Sequence, residues 1–582
     1  MRPLVCCPAI WIPDRGGQPT VATKSERSEG GVEAQEKAAL DLADRYWEDL
    51  LVLDPTIGTE IGDDRYDDRL PDPSEKGRAR RQEAHTRALE DLKSIDRSSL
   101  GVDLRTTLDV LEAIALRELD DISFRLDQFR AVSHLFGPGT LLAMLSSLQR
   151  ADTPERAEKY AARLAAFPTY LEETGKVALE GARAGQTQPT IVVDRAIAQV
   201  ERLLGLSPES SPGIEPVKDA SEADRERVIE TLRESVWPAY ARYLEALREY
   251  RPLARESLGL LDLPNGEVIY AAVIKGFTTL PLHPREVHRI GLEQLEQIQE
   301  ERRQVAERLG HPDAATAIAE RMASGQNTAG TREELVRTVE EQVQRSWETA
   351  PAFFGRLPRS NCMVKAVEEF REKDEPMAFY YPPNADGSRA GIYYINTGDL
   401  SERPLHLLAG VTFHEANPGH HFQISIDMEF TERPRLRRFG GIGAGSAFAE
   451  GWGLYSERLA DEMGLYQNDY ERLGMLDAQG WRANRLIIDT GIHALGWDRE
   501  RGVQQLLQAG PPRAAAEIEV DRYISWPGQA LAYKIGQIEI ERWRAEAAKR
   551  AGPAFSLKRF HDRLLALGSL PLSSLERELR ED

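Results

Sequence analysis

Cysteine is scarce in this sequence of 582 residues, which contains only Cys6, Cys7 and Cys362. Three thiols are too few for the disulfide framework of a small secreted protein, and they cannot complete a four-thiolate zinc site. Any metal site in this chain must therefore be built from histidine and carboxylate side chains.

Long apolar segments and an excess of positive charge are missing too. No run of about 18 apolar residues is present that could span a bilayer. The N-terminus lacks the apolar stretch and the small-residue cleavage site of a secretory signal, so we expect a cytoplasmic protein. The 74 basic side chains are outnumbered by 95 acidic ones, for a net charge of -21. This charge repels phosphate backbones and anionic lipids, so we expect neither nucleic acid nor a membrane as a partner.

Helical periodicity dominates the chain after an N-terminal tail at 1–32, whose polar, glycine-rich composition predicts disorder. In the clearest example, apolar residues recur at helical spacing between Pro284 and Gly310. The segment 378–400 differs, because a Pro-Pro-Asn turn is followed by "GIYYINT", which is rich in aromatic and β-branched residues. This pattern predicts a short β-hairpin or an edge strand. The sequence thus predicts an all-α protein with one small β element.

The segment "FHEANPGHHFQ" concentrates the side chains that could bind a metal. His414 and Glu415 begin it as in the zinc-peptidase signature His-Glu-x-x-His, but Pro418 stands where the second histidine belongs. Pro418 lacks the N–H that would bond to the carbonyl of His414, so we expect the helix to kink or bulge there. Either His420 or His421 could then supply the second ligand, and helix geometry alone leaves both open.

A third ligand is expected because catalytic zinc sites take three protein ligands and leave one position for water. The segment "SAFAEGWGLYSERLADEMG" offers Glu450 and Glu457, which share one face of a helix that begins near Ser446. The chain between His420 and Glu450 is long enough for a loop and a return helix. Glu457 is more typical of a carboxylate that supports a metal ligand, or of a solvated group.

Further polar residues cluster towards the C-terminus. The segment "DTGIHALGW" contains His493, and "DRYISWPGQALAYKIG" contains Arg522, Tyr523, Tyr533 and Lys534. Such donors can stabilise an oxyanion or bind a substrate carboxylate. Each also has an ordinary explanation, since a lone histidine is more often a core residue and the others could lie on a helix surface.

Four segments together, "HEANPGHHFQ", "EGWGLYSE", "DTGIHALGW" and "RYISWPGQALAYKIGQ", resemble the bacterial domain-of-unknown-function 885 (DUF885) proteins. The resemblance extends upstream to "GFTTLPLHPREVHRIGL" and "LDPTIGTEIGDDRYDDRL", so it implies one helical domain over 33–582. It also implies a fold similar to that of the carboxypeptidase Taq, oligopeptidase and angiotensin-converting-enzyme group. There, a large helical bundle has a deep cleft between two halves and a short β element next to the active site.

The resemblance also assigns metal ligands. The constant histidines of the family fall on His414 and His420, in preference to His421, and its Glu-Gly-Trp glutamate falls on Glu450. These positions imply a site for one zinc ion, with Glu415 as the general base that accepts a proton from water and passes it to the leaving amine.

Hydrolysis at such a site needs hydrogen-bond donors besides zinc, and the polar residues towards the C-terminus are our candidates. We expect the oxyanion to receive hydrogen bonds from His493, Tyr523 and Tyr533. A substrate carboxylate would be bound by Arg522 or Lys534.

The segment "GIYYINT" is a candidate for substrate alignment by analogy with the edge strand of zinc peptidases, pairing with an extended peptide near Tyr394 and Asn396. The sequence thus favours a zinc-dependent peptidase that cleaves short peptides. The alternatives are a zinc hydrolase that acts on a non-peptide amide, and a helical binding protein with a vestigial metal site. The presence of Glu415 beside intact ligand candidates favours an enzyme, and the oligomeric state stays open.

Overall fold

Helices make up 73% of the structure and confirm the expected all-α class. The structure, a computed structural model, describes residues 29–369, 372, 376–383 and 390–581. The first helix begins at Glu29, inside the segment predicted to be a tail, and residues 1–28 lie outside the described part.

The N-terminal helices form two packed groups. The first consists of α1 (Glu29–Leu53), α2 (Pro55–Ile61), α3 (Glu75–Leu92) and α4 (Val102–Ser123). The second consists of α5 (Leu126–Arg130), α6 (Pro138–Leu148), α7 (Pro154–Arg183), α8 (Thr190–Leu204), α9 (Glu222–Thr231) and α10 (Trp237–Tyr250). This second group encloses a hydrophobic core of its own. In contrast, α1, α3 and α4 contribute to the large core of the C-terminal part.

Four helices connect these groups to the rest of the chain. They are α11 (Gly266–Thr278), α12 (Pro284–Arg308), α13 (Ala314–Ala323) and α14 (Arg332–Thr349). The bounds of α12 confirm the predicted helix. The His283 side chain accepts a hydrogen bond from the backbone N–H of Arg285, and Pro284 takes the first position, where no N–H is needed. Gly310 follows the end of the helix with φ = 81°.

Three short strands form a sheet next to α14, namely β1 (Cys362–Ala366), β2 (Ala378–Tyr381) and β3 (Gly391–Ile395). Strand β3 lies in the middle, parallel to β1 and antiparallel to β2. The predicted β-hairpin is therefore confirmed as β2 and β3. The alternative, that "GIYYINT" is an edge strand, is wrong because β1 pairs with its second side. The connection at 384–389, with the end of the predicted turn, lies outside the described residues.

The C-terminal helices build the largest core. They are α15 (Leu405–Glu415), α16 (His420–Met428), α17 (Gly441–Ala444), α18 (Ser446–Glu462), α19 (Asp469–Leu495), α20 (Arg499–Leu507), α21 (Arg513–Ser525), α22 (Ala532–Ala551), α23 (Leu557–Leu567) and α24 (Leu572–Arg580). Both α12 and α15 pack along α19, and α18 packs along α22. Within the described ranges, no helix combines the length and the apolar character needed to cross a membrane.

A cleft of about 2130 Å³ lies between several N-terminal helices and one face of the C-terminal part. Its N-terminal wall is formed by α1, α2, α4 and α6, and its opposite wall by the end of β2, α16 and the segment 438–443. Ile424 and Met428 of α16 line it, one and two turns after His420. Residues four apart share a helix face, so Ile424 and Met428 lie on the face of α16 that begins with His420. His414, His420 and Glu450 are not among the residues that line the cleft.

The close packing of α18 against α22 depends on glycine. A Cβ atom at Gly536 would lie 1.7 Å from the carbonyl oxygen of Ala447 and 2.9 Å from Cα of Gly451. Both obstacles are backbone atoms that cannot rotate away. We expect Gly536→Ala to push the helices apart and to lower the free energy of unfolding by about 1–3 kcal/mol, measured by chemical denaturation.

The matched control for this substitution is Gly443→Ala. A Cβ atom there would meet no other atom within 4 Å. We expect its free energy of unfolding to stay at the parent value or to rise by up to about 1 kcal/mol, because alanine favours a helix more than glycine does. Equal losses in the two variants would contradict the packing argument.

Candidate metal centre

A break between two helices brings His414 next to His420. Helix α15 ends at Glu415, a cis peptide bond joins Asn417 to Pro418, and α16 begins at His420. Instead of the expected kink within one helix, one helix ends and a second begins, because Pro418 has no N–H to donate to the carbonyl of His414. A Cβ atom at residue 419 would lie 1.9 Å from the carbonyl oxygen of His414, so only glycine fits there.

The two histidine rings meet edge to face beside a carboxylate. Their centroids are 4.8 Å apart, with 85° between the ring planes. Oε2 of Glu450 lies 3.8 Å from Nε2 of His414 and 3.6 Å from Nε2 of His420. Glu415 belongs to the same cluster, because one ligand atom each from His414, Glu415 and His420 lie within 4.8 Å of one another.

This donor set fits a zinc ion. Zinc takes histidine nitrogen and carboxylate oxygen at about 2.1 Å in a tetrahedral arrangement, so its ligands lie roughly 3.4 Å from each other. The contacts of Glu450 with His414 and His420 are only slightly longer. The side chains of His420 and Glu450 stay 13% and 23% exposed, which leaves one side of the cluster open to water.

Glu450 and the two histidines shift the pKa values of one another. Burial acts to raise the pKa of Glu450, but His414 and His420 outweigh it and hold that pKa well below its ordinary value. Burial likewise acts to lower the pKa of His414, but hydrogen bonds with Glu450 and Glu457 raise it to about 9. The Glu450 carboxylate therefore stays ionised, with its negative charge facing the two histidines.

Glu457 orients His414 from the side opposite Glu450. Its Oε1 lies 2.8 Å from Nδ1 of His414, and the carboxylate is fully buried. This excludes the interpretation that Glu457 is solvated and agrees with its role as support for a ligand. A carboxylate on Nδ1 leaves the Nε2 lone pair for a metal. Gly453 packs on the ring, because a Cβ atom there would lie 2.8 Å from Nε2 of His414.

His421 lies away from this cluster although it follows His420 directly. Its Nε2 is 2.9 Å from the carbonyl oxygen of Ser360, and its Nδ1 is 3.0 Å from the Tyr380 hydroxyl. Burial lowers the pKa of His421 to about 4. With both nitrogens occupied, His421 joins α16 to the sheet, and His420 is the histidine that faces His414.

The comparison with protein families decides where the chain belongs. The model of a family described as "Bacterial protein of unknown function (DUF885)" matches residues 55–579. The chain belongs to the DUF885 family. None of the curated proteins that were compared matches it.

Two solved structures share the fold of this DUF885 protein. Each is described as a "putative lipoprotein", one from Colwellia psychrerythraea and one of unknown function from Shewanella oneidensis. The first is 25% identical, with a TM-score of 0.85 over 94% of this chain and 99% of the other. The second is 20% identical, with a TM-score of 0.76 over 93% and 99%. The second likeness concerns the fold alone.

His493 lies far from the candidate metal ligands of this DUF885 chain. It follows Gln479, which contacts Glu457, by fourteen residues of α19, or about 21 Å of helix. Its Nε2 is 2.9 Å from the carbonyl oxygen of Tyr523, and its Nδ1 accepts a hydrogen bond from the backbone N–H of Leu260. The structure therefore gives His493 a structural position and does not bring it to the oxyanion side of the cluster.

Arg522, Tyr523 and Tyr533 form a second polar cluster with Arg485, a residue that the sequence analysis missed. The hydroxyl of buried Tyr523 accepts from Nε of Arg485 at 3.2 Å, and the Arg485 guanidinium lies 4.4 Å from the centre of the Tyr533 ring. Arg522 donates to Gln529 at 2.7 Å and lies 3.5 Å from the Tyr533 hydroxyl. Of these, Arg522 keeps 25% of its side chain exposed.

Lys534 does not reach the surface of the cleft. It is 1% exposed and donates to Oε1 of Gln479 and to Oε1 of Gln537, each at 2.8 Å. Burial lowers its pKa to about 7. The prediction that Lys534 binds a substrate carboxylate does not fit this buried position. Gln479 and Gln537 carry no local sequence signal that could have revealed the contact.

Tyr394 and Asn396 occupy the sheet in a way that excludes pairing with a substrate. Both edges of β3 are already hydrogen-bonded, so the strand cannot receive a peptide. The Tyr394 ring stacks on Phe379 at 5.0 Å. Asn396 is buried, donates to the carbonyl oxygen of Glu372 and accepts from the N–H of Gly398. These contacts stabilise the sheet and the segment that directly follows β3.

The structural position of His493 predicts how stability depends on pH. Burial lowers its pKa from 6.5 to about 3. As pH falls from about 6.5 towards 3, the His493 side chain therefore becomes protonated in the unfolded chain but stays neutral in the folded protein. The free energy of unfolding then falls by about 1.4 kcal/mol per pH unit through this one group.

The substitution His493→Gln removes that contribution. We expect the free energy of unfolding to depend less steeply on pH below about 6 in the variant, by up to about 1.4 kcal/mol per unit. Chemical denaturation at a series of pH values measures both slopes. Identical slopes in the parent and the variant would count against a buried, neutral His493.

Proposed function

We propose that this DUF885 protein is a zinc-dependent hydrolase that cleaves peptide bonds in short peptides. The observation that carries the proposal is the position of Oε2 of Glu450, within 3.8 Å of Nε2 of both His414 and His420. The same three residues would hold one zinc ion. Glu457 supports the set because it occupies the remaining nitrogen of His414.

Glu415 is the proposed general base. It is the last residue of α15, half-buried, and it belongs to the cluster of ligand atoms around the two histidines. A zinc ion held by His414, His420 and Glu450 would supply Lewis acidity towards water and the scissile carbonyl. The Glu415 carboxylate accepts the proton of the attacking water and donates it to the leaving amine nitrogen.

A short peptide is the proposed substrate, and the cleft beside α16 has room for one. Its volume of about 2130 Å³ exceeds the roughly 300–1,000 Å³ of sites that take small molecules. Ile424 and Met428 provide apolar contacts along the face of α16 that leads to His420. Arg522, whose side chain is 25% exposed, stays the proposed partner of a substrate carboxylate.

The adjacent histidines allow a matched test of the ligand set. We expect the parent protein and His421→Gln to bind one zinc ion per chain, because His421 already bonds to Ser360 and Tyr380. We expect His420→Gln to lose at least about tenfold in zinc affinity, since it loses a direct ligand. Elemental analysis and competition with a chromophoric chelator measure the two variants. Equal zinc binding by both would refute this ligand set.

The general base is tested by Glu415→Gln. We expect this variant to keep its zinc, because His414, His420 and Glu450 are intact, and to hydrolyse peptides about 10²–10⁴-fold more slowly, because the amide cannot accept the proton. Mass spectrometry of a peptide library incubated with each protein measures the rates. If the parent protein binds zinc but cleaves no peptide, the proposed peptide substrate is wrong and a non-peptide amide takes its place. If Glu415→Gln cleaves peptides as fast as the parent protein, Glu415 is not the general base.

A further inference from the structure

A chain of buried polar side chains leads away from His414 beyond Glu457. While Oε1 of Glu457 faces His414, its Oε2 accepts a hydrogen bond from Nε2 of Gln479 at 2.9 Å. The same amide nitrogen donates to the carbonyl oxygen of Leu454 at 3.0 Å. Two acceptors on one side fix the orientation of the Gln479 amide, because its oxygen must point the other way.

Lys534 meets the oxygen of this amide. Its ammonium group donates to Oε1 of Gln479 and to Oε1 of Gln537, both at 2.8 Å. Nε2 of Gln537 donates to Glu541, which lies at the surface. Hydrogen bonds thus connect Glu541 to His414 through Gln537, Lys534, Gln479 and Glu457. Only Glu541 is exposed, since Glu457, Gln479, Lys534 and Gln537 are at most 2% exposed.

Stability alone is a poor explanation of this arrangement. A lysine buried on amide oxygens loses its hydration, and the two glutamine oxygens that accept from Lys534 carry no charge. Buried charges can often be replaced by apolar side chains without loss of stability. This series of hydrogen-bonded side chains ends at His414, the histidine that faces Glu450, and can therefore orient its ring.

We propose that Gln479, anchored by Lys534, is a positioning residue of the candidate metal centre that acts through Glu457. The inference rests on the proposed function and deepens it. Because Gln479 occupies Oε2 of Glu457, Oε1 is left to accept the Nδ1–H of His414. This selects the tautomer of His414 whose Nε2 lone pair points towards Glu450 and His420.

The test compares zinc affinity in a double-mutant cycle of Gln479→Leu and Glu457→Gln, measured on the full chain by competition with a chromophoric chelator. We expect Gln479→Leu alone to weaken zinc binding about 10–100-fold, as substitutions behind a metal ligand do. In the Glu457→Gln background, the same substitution should change the affinity less than about twofold, because its route to His414 is already lost. We expect Lys534→Met to weaken binding in the same direction as Gln479→Leu.

Gln188→Leu is the control for loss of a buried glutamine. Gln188 is fully buried like Gln479, but its amide donates to the carbonyl oxygen of Phe129 in the N-terminal half. We expect it to lower stability and to leave zinc affinity unchanged. The visible absorption of the Co²⁺ form gives a second readout, which should shift in Gln479→Leu and not in Gln188→Leu.

The outcomes separate this inference from the proposed function. If the parent protein binds no zinc, both are overturned. If the parent binds zinc and Gln479→Leu binds it equally well, or if the losses of Gln479→Leu and Glu457→Gln multiply, only the positioning role is overturned.

Discussion

The candidate site depends on the close approach of Gly419 to the end of α15. A side chain there would collide with the carbonyl oxygen of His414, so the chain can turn this tightly only with glycine. Because the turn is so short, the first residue of α16 meets the last turn of α15, and His420 reaches His414. One helix face of α18 then supplies Glu450 to one nitrogen of His414 and Glu457 to the other.

Such a buried, charged arrangement needs a rigid frame, because ligands displaced by about 0.5 Å lose productive geometry. Small residues provide this frame. Gly453 lets α18 lie on the His414 ring, and Gly451 and Gly536 let α22 lie on α18. The contact of α18 with α22 also sets Lys534 behind Gln479. The contact between α18 and α22 therefore contributes both to the packing of the core and to the position of the buried polar side chains.

Much of this organisation was accessible from sequence, since it rests on local patterns. The bounds of α12, the hairpin of β2 and β3 and the start of α18 near Ser446 follow from periodicity, turn residues and spacing. The partners of these elements do not. Strand β1 pairs with β3 from the other side, and His421 and His493 bond to distant backbone carbonyls. Those contacts join residues far apart in sequence, where no local pattern constrains them.

By itself, the sequence determined a helical protein of the DUF885 type and the identities of the side chains that cluster around His414. Those properties depend on periodicity and on short motifs. Only the tertiary structure decided what the other side chains contact: His421 bonds to Ser360 and Tyr380, and Lys534 turns inward to Gln479. The reason is physical, because the direction of a side chain within a core is set by packing between helices and by the need to satisfy every buried polar group.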